Sequence, residues 1–333
     1  MKGPDPFRAL VLQNDGGAVQ AAVKQLPASS LPEGDVLVSV AYSSLNYKDA
    51  LAVTNRGKIV RRFPMIPGID LSGTVAESKS PEFKPGDEVV LTGWGVGEDR
   101  WGGYAQLARV KSDWLLPLPE GLTLKRAMSI GTAGLTAMFC VMVLEEHGVR
   151  PDKGDVLVTG ATGGVGCVAV MLLAGLGYRI VAATGKPDAH EFLKSLGARK
   201  ILERSALAAG SNKPLESARW AGAVDNVGGE TLSAILRQMN RDGRVVAVGL
   251  AGGAELHTTV YPFILRGVSL VGISSGSMPT ERRRVAWTRL ARELPMETQD
   301  RITQIARLDE IPALSEQMIA GRTRGRIVID VNT

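Results

Sequence analysis

Residues 156–166 read Val-Leu-Val-Thr-Gly-Ala-Thr-Gly-Gly-Val-Gly, a β-branched run that breaks into glycines and opens the helical stretch Val165–Leu176. A strand that runs through such a turn into a helix aims backbone N–H groups and the positive end of the helix dipole at a phosphate. The alternation continues downstream. Strands are predicted at Val156–Thr159, Arg179–Ala183, Lys200–Leu202, Ala223–Asn226, Arg244–Gly249 and Val268–Ile273, with helices around Ala189–Leu196 and Glu230–Met239. Near-continuous apolar strands separated by amphipathic helices predict a parallel sheet covered on both faces. Six strands in two βαβαβ halves predict a doubly wound, dinucleotide-binding α/β domain.

Before about residue 125 the pattern is different. Short apolar runs at Val36–Val40, Gly73–Val75, Glu88–Thr92 and Tyr104–Arg109 are punctuated by Pro-Glu-Gly-Asp (32–35) and Lys-Pro-Gly-Asp (84–87). Turn signals at that spacing predict a mostly antiparallel β domain. Helices are expected at Glu281–Glu293 and Ile311–Ala320, and a last strand, Arg326–Val331, is expected to return to the first domain. The domains are therefore read as 1–122 with 300–333, mostly β, and 123–299, doubly wound.

The 333 residues suit two domains, and a 44% hydrophobic share excludes a disordered polymer. Two cysteines exclude a disulfide scaffold and a four-cysteine metal site. The first residues lack the pattern of a secretory signal. Ala133–Leu144 and Val168–Leu176 fall short of the roughly 20 apolar residues that a membrane span needs, so they read as buried helices. The net charge of +5 comes with no zinc finger, helix-turn-helix or RNA-binding signature. The expectation is a cytoplasmic protein with a small-molecule substrate and no nucleic-acid or membrane partner.

In the glycine turn the G-x-G-x-x-G positions fall on Ala161, Gly163 and Gly166. Gly163 lets the backbone approach a pyrophosphate, and Gly166 lets helix and strand pack closely. An NAD-binding chain places an acid near the end of the second strand, for the ribose 2′-hydroxyl. Here that strand runs into Thr184, Gly185 and Lys186. These, with Arg204 beyond the third strand, suit a 2′-phosphate, and NADPH is the expected coenzyme. Asp188 lies close by and keeps NADH open. Lys186 and Arg204 also admit a plainer reading as solvated loop charges.

The turn, together with Ser-Leu-Asn-Tyr-Lys-Asp (44–49) and Pro-Gly-Ile-Asp-Leu-Ser-Gly-Thr-Val (67–75), resembles the medium-chain dehydrogenase/reductase superfamily over essentially the whole chain. Leu-Thr-Gly-Trp-Gly-Val-Gly (91–97), Trp-Gly-Gly (101–103), Gly-Leu-Ala-Gly-Gly (249–253), Pro-Phe-Ile-Leu-Arg-Gly-Val (262–268) and Pro-Thr-Glu-Arg-Arg (279–283) resemble its quinone oxidoreductase-like group, in the bacterial acrylyl-CoA reductase branch. The resemblance implies a GroES-like catalytic domain, a Rossmann domain with NADPH in the cleft, a homodimer, and reduction of the activated C=C of acryloyl-CoA to propanoyl-CoA. It places cofactor contacts on Tyr47, Thr162, Gly163, Gly164, Val165, Thr184, Gly185, Lys186, Arg204, Leu250, Ile264, Ser275 and Arg326. Thr184 and Lys186 replace a Ser and an Arg of the family pattern, keeping the charge without the planar fork. Residues 205–213 are variable, which makes Arg204 the least constrained of these positions.

The alcohol dehydrogenase branch of the superfamily uses zinc, and a catalytic zinc takes about three converging protein ligands. Cys140, Cys167, His147, His190 and His257 are scattered, and the cysteines read as small buried hydrophobes. No metal is expected. Without a Lewis acid, hydride transfer favours an acceptor that is already electrophilic, such as an α,β-unsaturated carbonyl whose oxygen takes up charge as an enolate. Tyr47 is the first candidate for lining the nicotinamide and donating a proton, with packing alone as the plainer reading. Asn46 is a candidate to bond substrate or ribose, and Asp49 is either catalytic or a helix cap.

The basic loop 55–62, with Arg61 and Arg62, is a candidate grip for CoA phosphates. The run Arg282, Arg283 and Arg284, with Arg289 and Arg292, reads more simply as a solvated helix face. A quinone or general enone reductase shares every cofactor residue, and a non-catalytic NADPH-binding protein is the reading from another class.

Overall fold

The computed structural model describes residues 5–208 and 213–333. In chain order it opens with β1 (Phe7–Asp15), β2 (Ala18–Leu26) and β3 (Val36–Ser44), then the short helix α1 (Tyr47–Val53). β4 (Asp70–Ser78), β5 (Glu88–Thr92), β6 (Leu107–Val110) and β7 (Leu116–Pro117) follow, and then the long helix α2 (Leu124–Glu146). The alternating part runs β8 (Asp155–Val158), α3 (Gly164–Gly175), β9 (Arg179–Thr184), α4 (His190–Ser195), β10 (Lys200–Glu203) and α5 (Arg204–Ala208). It continues through β11 (Trp220–Asp225), α6 (Gly229–Arg237), β12 (Met239–Ala247), α7 (Tyr261–Arg266) and β13 (Ser269–Gly272). The tail carries α8 (Thr280–Glu293), α9 (Met296–Arg301), β14 (Thr303–Arg307), α10 (Ile311–Ile319) and β15 (Arg326–Asp330).

Two compact units result. The first is Met1–Thr132 with Gly276–Ala291 and Gln299–Thr333; the second is Ala133–Ser275 with Arg292–Thr298. The 123–299 boundary read from sequence differs from this division. Gly276–Ala291 groups with the first unit because Arg283, on α8, sends its side chain to the end of β5, as described below.

In the first unit the main sheet runs β14-β15-β3-β4-β5-β7, with β6 also paired to β3. β15 pairs antiparallel with β3, Ile329 opposite Ser43, so the last strand does return to the first domain. Leu10, Leu12, Val38, Leu71, Val89, Leu91, Ile327 and Ile329 form part of its core. In the second unit the sheet runs β10-β9-β8-β11-β12-β13, every pair parallel. This is the doubly wound order, whose direction reverses between β8 and β11, where ligands bind beyond the strand ends. Leu157, Ala223, Ile235, Leu236, Met239 and Val245 pack beneath it.

α2 is long and apolar enough to cross a membrane by length and composition, yet 94% of its most apolar window is buried inside the protein. The shorter run read from sequence, Ala133–Leu144, begins just past an interruption: Gly131 stands at φ 53°, ψ −160° inside the helix.

Candidate active site

The glycine turn closes on itself. Gly160 takes φ +56°, and the Gly163 N–H donates to Gly160 O at 2.9 Å. α3 starts at Gly164, so the N–H groups of Gly164, Val165 and Gly166 have no acceptor within the helix. A Cβ on Gly166 would strike Gly160 O and lie 2.7 Å from Ala161 Cα, so only glycine fits there. Thr162 beside it is buried. The Thr159 hydroxyl donates to Asp225 Oδ1 at 2.6 Å and accepts from the Asn226 N–H at 3.0 Å. Asp225 Oδ2 accepts from Gly228 N–H at 2.8 Å. Burial raises the Asp225 pKa. These bonds fix the loops at the switch point. Sequence reasoning missed Thr159, Asp225 and Asn226, although a polar Asp-Asn pair ending an apolar strand was the available signal. The N–H groups left without helix acceptors at the start of α3 fit the pyrophosphate of a dinucleotide.

At the end of β9, Thr184 is buried, and its hydroxyl accepts from the Lys186 N–H at 3.1 Å. The Arg204 guanidinium lies over the bare face of Gly185, its central carbon 3.4 Å from where a Cβ would stand. Gly185, Glu203, Arg204, Ser205 and Thr231 line a cavity of about 390 Å³. Gly185 and Arg204 are thus brought together, while neither Thr184 nor Lys186 is among that lining. Glu203, Ser205 and Thr231 were not foreseen, because no local motif marks them. Of the variable segment 205–213, residues 209–212 lie outside the described residues. Leu250 and Ile264 are 64% and 68% exposed. Ser275 begins a short turn of 3-10 helix and is half-buried.

In the first unit the Asn46-Tyr47-Lys48-Asp49 cluster splits by direction. Tyr47 is 45% exposed at the first turn of α1. Asn46, a candidate to bond substrate or ribose, and Asp49, read as either catalytic or a helix cap, are both buried. Asp49 Oδ2 accepts from the Asn46 N–H at 3.0 Å, one half of a capping box, and Oδ1 accepts from Ile69 N–H at 3.0 Å. The Asn46 amide donates to Asp70 Oδ2 at 2.9 Å. Asp70 also accepts from the Ser44 hydroxyl, the Thr132 N–H and the Thr132 hydroxyl, at 2.5, 2.8 and 2.5 Å.

Arg326, expected to meet the cofactor, is also part of this network. It is 3% exposed and donates to Ser129 O, Asn46 Oδ1 and Ser44 Oγ at 2.9, 3.3 and 3.1 Å. The break in α2 belongs here too, since a Cβ on Gly131 would sit 2.6 Å from Asp70 Oδ2 and 2.9 Å from an Arg326 nitrogen. Burial, and then the charge of Asp70, push the Asp49 carboxyl up to about 7. Burial also raises the Tyr104 phenol, whose hydroxyl donates to Ser44 O at 3.1 Å.

Lys48, on the outer side of α1, pairs with Glu98 at 2.9 Å. In the basic loop Arg61 and Arg62 are exposed, and Arg61 approaches Asp99 at 4.0 Å. Arg56 pairs with Glu316 at 2.9 Å. The arginine run of α8 is not one solvated face. Arg283 is 2% exposed and donates to Met278 O, Thr92 O, Thr92 Oγ1 and Gly276 O at 2.8, 2.8, 3.0 and 2.9 Å. Its guanidinium stands 4.9 Å from the ring of Trp94, which holds φ +59°. Arg284 pairs with Glu281, and Arg292 with Glu293.

Among the described residues, no three His, Cys, Asp or Glu side chains form a group able to hold a metal ion. Cys140 and Cys167 are buried and outside any disulfide, and burial pushes the Cys140 thiol up.

The family model described as alcohol dehydrogenase GroES-like domain matches residues 32–120, and that described as zinc-binding dehydrogenase matches residues 164–292. Acrylyl-CoA reductase AcuI of Ruegeria pomeroyi is 52% identical over 328 residues, 98% of this chain and 99% of that protein. The chain belongs to the medium-chain dehydrogenase/reductase superfamily. Within it, this dehydrogenase/reductase falls in the quinone oxidoreductase-like group. The crystal structure of Escherichia coli K-12 YhdH with bound NADPH is 54% identical with a TM-score of 0.95, over 97% of this chain and all of that one. Bacillus subtilis YhfP with NAD bound is 44% identical with a TM-score of 0.96, over 98% of this chain and all of that one.

Proposed function

We propose that this dehydrogenase/reductase reduces the activated C=C of acryloyl-CoA to propanoyl-CoA with NADPH and without a metal. Near-full-length identity to an acrylyl-CoA reductase carries the reading. When bound, NADPH supplies the hydride that adds to the β-carbon of the thioester. The N–H groups of Gly164, Val165 and Gly166 hold the pyrophosphate, with Thr162 and Gly163 shaping the turn. Arg204 and the Thr184–Lys186 corner attract the 2′-phosphate. Leu250, Ile264 and Ser275 supply further cofactor contacts.

Tyr47, the exposed member of its cluster, donates the proton that the α-carbon takes up as the enolate collapses. Asn46, Asp49 and Arg326 act as positioning residues, since each is buried and bonded within the network that anchors α1. Arg62, and Arg61 to the extent that Asp99 leaves it free, attract the CoA phosphates. The absence of a converging donor set among the described residues supports the metal-free chemistry. A cytoplasmic homodimer completes the proposal; the cysteines, outside any disulfide, suit a reducing compartment.

The test compares NADPH oxidation with acryloyl-CoA, crotonyl-CoA, a CoA-free enone and a benzoquinone, each with and without a chelator. We expect the highest kcat/KM for acryloyl-CoA and no effect of the chelator. A benzoquinone that outpaces both thioesters would replace this reading with that of a quinone reductase. In the same assay Tyr47→Phe lowers kcat more than it raises KM for NADPH, and an unchanged kcat removes Tyr47 from proton transfer. Joint charge reversal at Arg61 and Arg62 raises KM for the thioester and spares the enone.

A further inference from the structure

The cavity beside Gly185 is lined by an acid as well as by the cation Arg204. Glu203 ends β10 and stands in register opposite Thr184 at the end of β9. It lines the same hollow as Gly185, Arg204, Ser205 and Thr231. Its side chain is held in place, with Glu203 Oε1 3.0 Å from Nε2 of His190, the first residue of α4. Both side chains remain open to solvent, at 45% and 41% exposure, so neither is consumed by the core.

A carboxylate at that place acts differently on the two nicotinamide coenzymes. It repels a 2′-phosphate, and a group that is acceptor-only when ionised can take a hydrogen bond from a 2′-hydroxyl. Chains selective for NAD obtain the second effect from an acid at the end of the second strand. Here the acid has moved one strand outward while the second strand ends in Thr184 and Gly185. Arg204, the next residue in the chain, pulls in the other direction, because a guanidinium gains most from a phosphate.

We propose that Glu203, oriented by His190, is a coenzyme-selectivity residue: it opposes the 2′-phosphate that Arg204 attracts and accepts the 2′-hydroxyl of NADH, so that it tempers the preference for NADPH. The proposal rests on the reading that the adenosine ribose of the coenzyme enters this cavity.

The experiment measures kcat/KM for NADPH and for NADH with acryloyl-CoA in the unmodified enzyme and in Glu203→Gln. Titration of 2′,5′-ADP against the unmodified enzyme and Arg204→Ala accompanies it. Glu203→Gln is expected to raise the NADPH-to-NADH ratio about tenfold, a difference of about 1.4 kcal/mol. The gain should come from a lower KM for NADPH and a higher one for NADH, with kcat for NADPH unchanged. A ratio within twofold of the unmodified enzyme, or one that falls, overturns the role of Glu203. If Arg204→Ala leaves 2′,5′-ADP binding unaltered, the ribose does not enter this cavity, and the selectivity proposal falls with that placement. If Arg204→Ala weakens 2′,5′-ADP while Glu203→Gln changes nothing, the cavity stands and only the role of Glu203 is lost.

Discussion

Asp49 couples the anchoring of α1 to pH. Its carboxyl titrates near 3.8 when the chain is unfolded and near 7 when folded, because burial and the neighbouring Asp70 disfavour its charge. Between those values the folded state holds a proton that the unfolded state has released, so this group's contribution to stability falls as pH rises from about 4 to 7 and then levels off. Asp49→Asn should flatten that part of the profile, as read from urea midpoints at pH 4.5 and 7.5. An undiminished slope would assign it to other groups. The Asn46–Asp49 cluster was legible in the sequence as a place of interest, and Asp49 as a cap. Which of its side chains turn inward was not legible, because their partners lie far along the chain: Asp70 is 24 residues from Asn46, and Arg326 is 280.

Helix α8 gives the corresponding lesson for an element. Arg283, Ala286, Trp287 and Leu290 are its buried residues, an i, i+3, i+4, i+7 stripe with a guanidinium at its head. That stripe was readable, but the neighbouring Arg282 and Arg284 made the run look like a solvated face. Arg283→Ala would leave the carbonyls of Thr92, Met278 and Gly276 without this donor and take away the cation above Trp94. Since each buried polar group left unsatisfied costs roughly 1–3 kcal/mol, we expect a loss of about 3 kcal/mol or more in urea unfolding. Arg283→Lys should restore only part of it, since an ammonium lacks the planar fork. The six parallel strands were legible throughout, because continuous apolar runs announce themselves. The β1–β2 hairpin was not foreseen, although Asp15-Gly16-Gly17 offered a turn signal. β14 was also missed, and its polar, half-exposed residues give the reason.

For the whole molecule, the proposed homodimer has a natural surface in the second unit. β13 is an edge strand bonded to β12, and Leu256, Val260, Tyr261 and Leu265 are exposed in the segment just before it. Open edges and apolar stretches of this kind invite pairing. Sedimentation velocity should show a dimer that Val260→Asp with Leu265→Asp converts to monomer, and a dimer surviving both changes would place the interface elsewhere. In the first unit, β15 lies between β14 and β3 although it comes from residues 326–330. A ribosome must therefore have released the chain through residue 330 before that sheet can close, whereas every strand of the second unit emerges earlier. During synthesis the later-starting half is free to fold while the first hundred residues wait, and a transcript cut short before residue 326 would yield a nascent protein with its inner ladder missing.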